Sequence, residues 1–241
     1  MTLLEHLGEL RRRLAVSLIG YLLATGVVFG FRLPVFRFVE RPYCKNSHSQ
    51  LLGHTCALVV TGPVDAFLLY LHLALLGGAL LSAPVWLWQL WAFITPGLYR
   101  RERRWGLTFV GLSLTLFTAG AVVAYLMLGR ALGFLLGFGG NTLATLVTAD
   151  KYLSFLTTLV VVFGVAFEFP LLVVALNFAG IVSHARLRSW RRMEIFLVTV
   201  FAAVATPTQD PFTMLALAAP MWLLYEAALL VCRLHDARAA R

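Results

Sequence analysis

The amino-acid sequence predicts an all-α, polytopic membrane protein with six transmembrane helices, the last two of them short. Three observations carry this reading. Hydrophobic residues make up 60% of the chain and charged residues only 13%, whereas a soluble domain is about a quarter charged. Several apolar runs approach the roughly 20 residues that a helix needs to cross a bilayer core of about 30 Å. The runs are continuous and not alternating, which selects helices over a β-barrel.

The net charge of +9 does not point to nucleic acid. The basic residues fall in short clusters between apolar runs, where loop charges set topology. Alternate polar segments hold 14 and 6 of the Lys and Arg residues. The positive-inside rule therefore places both termini in the cytoplasm. The amino-terminal 31 residues have a basic and then an apolar region, as a signal peptide does. The apolar part is too long for one and no small-x-small cleavage site follows, so it is assigned as the first span.

Leu3, Leu4, Leu7, Leu10 and Leu14 recur at helical spacing, so residues 2–13 form an amphipathic cytoplasmic helix lying on the membrane. Arg11, Arg12 and Arg13 anchor span one, residues 14–33. A polar external segment, about 34–62, carries Pro34 and Pro42. Span two covers 64–93 and should kink at Pro84, which lacks a backbone donor. Trp86, Trp88 and Trp91 gather near its end, as interfacial aromatics do. A Pro-Gly hairpin with four arginines around Glu102 leads to span three, 105–128. Span four covers 152–180 and a basic loop follows. Span five, 193–205, is an apolar run of 13 residues, or roughly 20 Å of helix. Span six covers 212–232. No internal repeat of the kind built into many secondary transporters is visible, so residues 1–241 read as a single membrane domain.

No phosphate-cradling glycine motif, H-E-x-x-H or G-x-S-x-G is present, so the chain is not expected to be an enzyme or to need a cofactor. In the external loop, Cys44, His48, His54 and Cys56 do not match a standard zinc spacing. Two cysteines outside the cytoplasm more often form a disulfide, so no metal site is assigned and Cys44 and Cys56 are candidate disulfide partners, with free thiols as the alternative. Glu168 lies deep in an apolar run, where a charge costs at least about 2.5–3.5 kcal/mol. It serves either as a carboxyl bonded to a neighbouring helix or as a polar site facing a partner or substrate. Asp65 and Asp210, at external helix ends, are equally explained by capping, and His72 by packing.

Glu9 and Glu102 are the cytoplasmic acids. Each has a plain explanation as a solvated ion pair, Glu9 with Arg13 at i,i+4. The functional alternative is that they receive guanidinium groups from a ligand, since a carboxylate takes arginine in a two-point fork that lysine cannot reproduce.

These residues sit in longer motifs. They are His6-Leu-Gly-Glu-Leu-Arg-Arg-Arg-Leu14, Ser82-Ala-Pro84 and Gln89-Leu-Trp-Ala-Phe-Ile-Thr-Pro-Gly-Leu-Tyr-Arg-Arg-Glu102. Further on come Phe163-Gly-Val-Ala-Phe-Glu-Phe-Pro170, Thr206-Pro-Thr-Gln-Asp-Pro211 and Pro220-Met-Trp-Leu-Leu-Tyr-Glu226. Together, and in this order, they resemble the TatC family of the twin-arginine protein translocase over nearly the whole chain. The resemblance implies a receptor for folded proteins bearing an amino-terminal signal with paired arginines. It places Glu9 and Glu102 on the carboxylates that contact the pair, with Leu10, Arg11, Phe93 and Tyr99 beside them. It also implies that Glu168 faces a groove where single-span TatA- and TatB-type partners dock, and matches Pro42 and Asp210 to external-loop positions. It further implies homo-oligomeric assembly, export driven by the proton gradient, and a bacterial, archaeal or organellar cytoplasmic membrane, with no nucleic-acid partner. Met214, where some members carry glutamine, is a departure, as are Cys44 and Cys56. The alternative function is a proton-coupled secondary transporter that titrates Glu168.

Overall fold

The computed structural model describes residues 3–44, 58–94, 103–137, 147–206 and 211–239. Among these the chain is helical throughout except for turns and one isolated bridge between Val59 and Thr148. The helices are α1 (Leu3–Gly30), α2 (Arg32–Cys44), α3 (Asp65–Leu81), α4 (Ala83–Ile94), α5 (Arg103–Gly137), α6 (Ala149–Phe178), α7 (His184–Ser189), α8 (Arg191–Ala205) and α9 (Pro211–Ala239). Stretches Leu7–Gly30, Leu107–Leu135, Ala149–Phe178 and Pro211–Ala237 are each long and apolar enough to cross a membrane, and α3 with α4 qualifies as a bent pair. The all-α polytopic class follows directly.

Several boundaries differ from those read off the sequence. Helix α1 runs unbroken through residues 3–30, so the amphipathic segment and the first span are one helix. Its basic triplet interrupts hydrophobicity but not backbone hydrogen bonding. The polar segment that follows opens with α2, even though Pro34 and Pro42 lie within it. Pro34 sits in the first turn, where no donor is needed. Helix α5 continues to Gly137, nine residues beyond the end expected for span three.

The bend expected at Pro84 is present. Helices α3 and α4 meet at 53°, with Ser82 at the break. Pro84 has no N–H to offer the Leu80 carbonyl, and at the same break the Trp86 indole donates to the Ala79 carbonyl at 3.0 Å.

The chain divides into two compact units, one of residues 1–114 with 135–157, the other of residues 115–134 with 158–241. In the first unit α1 lies against α3 because Gly78 carries no side chain. A Cβ there would overlap Thr25 Oγ1 and stand 2.8 Å from the Thr25 Cα. Small residues bring membrane helices together in this way. At the other end of this unit the Tyr152 hydroxyl donates to the Val39 carbonyl at 2.5 Å, which ties α6 to α2.

In the second unit Gly120 plays the same part between α5 and α6, since a Cβ would sit 2.6 Å from the Phe163 carbonyl oxygen. Helix α6 ends at Phe178, and Gly180 just beyond it has a φ of 71°, which suits glycine at a helix terminus. Asp236 of α9 then accepts from Asn177 Nδ2 at 3.1 Å and from the His184 backbone N–H at 2.8 Å. One carboxylate thereby fixes the end of α6 and the start of α7.

Candidate functional site

The first cluster of interest lies at the amino-terminal part of α1. Glu9 and Arg13 are one helical turn apart, and the guanidinium donates twice to the same oxygen, Glu9 Oε1, from Nε at 2.9 Å and from Nη2 at 2.6 Å. The remaining branch, Nη1, donates to Gln89 Oε1 of α4 at 3.3 Å. Helix α4 can reach because Val85 packs on Gly20, where a Cβ would stand 3.1 Å from Val85 Cγ1. Phe93, one turn beyond Gln89, is half-buried, whereas Leu10 and Arg11 are exposed.

The plain reading of Glu9, an i,i+4 ion pair, is therefore present. It does not exhaust the carboxylate. Both bonds land on Oε1, and among the described residues Oε2 has no donor. The pair is also only about three-quarters buried, at 23% and 26% side-chain exposure, so an incoming guanidinium has access to it. Gln89 belongs to this cluster and was not singled out from sequence, because a contact with Arg13 76 residues away leaves no local signal. Glu102 and Tyr99 lie outside the described residues.

Glu168 sits on α6, half-buried, two residues before Pro170. That proline withholds the N–H that would have bonded the Ala166 carbonyl, so the helix is locally more polar at this point. His72 meets Thr157 Oγ1 at 3.1 Å, consistent with a packing role. Asp65 is the first residue of α3 and accepts from Thr61 Oγ1 at 2.7 Å, with Val64 at the capping position. It is thus an acid in the first turn, favourable towards the helix dipole, and not the capping residue. Asp210 lies outside the described residues.

Pro42 is half-buried inside α2. Cys44 is disulfide-bonded; Cys56, His48 and His54 lie outside the described residues. Among the described residues no group of three or more His, Cys, Asp or Glu is placed to hold a metal ion.

A second cluster joins α8 and α9. Arg191 pairs with Glu226 through Nε at 2.7 Å and Nη2 at 2.5 Å. Glu194, one turn along α8, is buried, neither of its oxygens has a hydrogen-bond partner, and it lies within electrostatic reach of Glu226. Buried carboxylates are rarely left in this state. Sequence reading passed over Glu194 because it stands at the head of the apolar run that defines span five. A helical wheel of residues 191–205 would have flagged it, since Glu194, Val198 and Ala202 share the buried face.

Long apolar helices carrying a few carboxylates at their ends and on buried faces define a polytopic helical membrane protein whose polar chemistry is arginine–carboxylate pairing. The family described as "Sec-independent protein translocase protein (TatC)" matches residues 5–220. A TatC protein of Frankia casuarinae is 53% identical over all of this chain and 68% of its own length. One of Deinococcus radiodurans is 38% identical over 96% of this chain and 85% of its own length. The chain spans 63% of a TatC protein of Corynebacterium kroppenstedtii, at 38% identity. A crystal structure of the "Twin Arginine Translocase Receptor- TatC" superposes with a TM-score of 0.76 at 34% identity, covering 95% of this chain and 98% of that one. This chain belongs to the TatC family, and as a translocase component it is a membrane transport subunit and not an enzyme.

Proposed function

We propose that this chain is the receptor subunit of a twin-arginine translocase, binding the paired arginines of signal peptides at its cytoplasmic face. The observation that carries the reading is the partly exposed Glu9 carboxylate, with one oxygen held by Arg13 and the other without a protein donor among the described residues. An arginine ligand would take Oε2, or displace Arg13 towards Gln89, which already accepts from it. Glu102 would supply the second carboxylate, with Leu10, Arg11, Phe93 and Tyr99 around the pair. In this reading the chain crosses the membrane six times with both termini cytoplasmic. It assembles with further copies of itself and with TatA- and TatB-type subunits, and it draws on the proton gradient of a cytoplasmic membrane. Glu168, on a proline-interrupted helix, is the residue at which partner helices would dock. Cys56 is the proposed partner of Cys44, since the chain has three cysteines and Cys232 is a buried free thiol.

Membership of the TatC family speaks against the proton-coupled transporter. The deciding measurement is binding of a synthetic Arg-Arg signal peptide against its Lys-Lys version. The Arg-Arg peptide should bind at least about tenfold more tightly, the difference expected when a fork geometry is lost. Equal binding, or a Glu9→Ala variant that keeps the preference, overturns the receptor assignment of this site. For Glu168, crosslinking to partner helices should fall on replacement by alanine; unchanged crosslinking leaves it a structural carboxyl.

A further inference from the structure

The junction of α7, α8 and α9 holds an open cavity of about 510 Å³. Its polar wall is Arg188, at the end of α7, and Arg191 and Arg192, at the start of α8. Its other wall is Trp222 and Glu226 of α9, with Ile195 one turn further along α8. Arg191 is held by Glu226. Arg188 and Arg192 are exposed and make no ion pair among the described residues. The cavity therefore presents two unneutralised guanidinium groups beside an aromatic ring.

The surface changes character within one helix. Beyond the arginines, α8 exposes Ile195 and Phe196, at 47% and 65%, and two turns before Trp222 on the same face of α9 Leu215 is exposed. A ligand filling the cavity and continuing along this face has an anionic head and hydrocarbon chains. Helix α8 has 15 residues, or roughly 22 Å at the α-helical rise, against a hydrocarbon core of about 30 Å. A helix this short draws the headgroup layer towards its ends, and its amino-terminal end carries the arginines. Arginine matches a phosphodiester by donating two parallel bonds, and a cavity between about 300 and 1,000 Å³ suits a ligand of this size.

The geometry points to a specific anionic-phospholipid site at this junction, in which Arg188 and Arg192 bind the lipid phosphate, Trp222 and Ile195 flank the glycerol region, and the acyl chains cover the exposed face of α8. Arg191 has a different part: its bond to Glu226 holds α8 against α9 and shapes the cavity. The site does not depend on signal-peptide recognition, and it has its own readout.

The full chain is purified from nanodiscs containing equal phosphatidylglycerol and phosphatidylcholine, and retained lipid is measured by native mass spectrometry. Phosphatidylglycerol should be retained preferentially. At about 1 kcal/mol per basic residue, Arg188→Gln and Arg192→Gln should each lower that retention about fivefold, and the pair together roughly 30-fold. Arg186→Gln with Arg233→Gln removes the same charge from exposed positions that do not line the cavity, and should leave it unchanged. Thermal unfolding of every variant checks that the fold persists, and the single variants at exposed positions stand in if the double one fails. Equal retention of both lipids overturns the proposal, and so does an equal loss in the control pair. Displacement of phosphatidylglycerol by millimolar inorganic phosphate, or phosphate binding to the delipidated chain with matching affinity, identifies a free-phosphate site and overturns the lipid assignment.

Discussion

The two arginine–carboxylate clusters of this protein use the same chemistry with different connectivity. Glu9 and Arg13 are partners within one turn of α1, and a third group, Gln89, reaches in from α4. Arg191 and Glu226 are 35 residues apart and join two helices, with Glu194 buried alongside and lacking any donor. A local pair costs the fold little to make and little to break. A pair between helices fixes tertiary structure, and here it also partners the acid, Glu226, that stands within electrostatic reach of the unsatisfied Glu194. The first cluster is therefore the one that, in the proposed function, would exchange partners with a ligand. The second is committed to holding α8 on α9.

The difference is open to direct attack. The largest effect on stability is expected for Arg191→Ala, which strands Glu226 beside Glu194. Because the pair is part-exposed, the loss should be about 1 kcal/mol, read as a lower midpoint in thermal unfolding of the purified chain. An unchanged midpoint would show that the pair does not hold the helices together.

Next, Glu194→Gln removes the second acid. It should be neutral or stabilising alone, because a buried charge without a partner is unfavourable. In the Arg191→Ala background it should recover about half of the loss, a coupling of roughly 0.5 kcal/mol between neighbouring sites. Strict additivity in that double-mutant cycle would separate Glu194 from the pair.

The smallest stability effect belongs to Arg13→Ala, a few tenths of a kcal/mol as for other i,i+4 pairs. Its functional effect should run the other way. Freed of its internal competitor, Glu9 should bind an Arg-Arg peptide more tightly, by about two- to fivefold. Weaker binding instead would mean that Arg13 positions the carboxylate and does not compete for it.

Legibility from sequence followed range along the chain. Glu9 and Arg13 were readable because their partnership is set by helical spacing alone. The bend at Pro84 was readable because a missing N–H is a property of the residue. By contrast, α2 was not assigned, since residues 34–62 read only as a polar segment carrying Pro34 and Pro42, and neither proline position breaks the helix. Nor was the continuity of α1, since a basic triplet marks a membrane boundary without marking a helix end. Gln89, Arg191 and Glu194 acquire their meaning only from what lies across from them. Glu194 was further hidden inside the apolar run whose length identified span five.

Composition and the continuity of the apolar runs by themselves determined that this is a helical membrane protein, because lipid leaves the backbone few ways to satisfy its hydrogen bonds. The ordered motifs pointed to the family, and single-residue chemistry named Glu9, Glu102 and Glu168 as acids to explain. Only the tertiary structure decided that Glu9 keeps one oxygen without a protein donor among the described residues, that Arg191 is spent on Glu226, and that Arg188 and Arg192 are left facing a cavity. Those outcomes depend on which groups meet across helices, and a chain's local preferences do not encode that pairing until the helices pack.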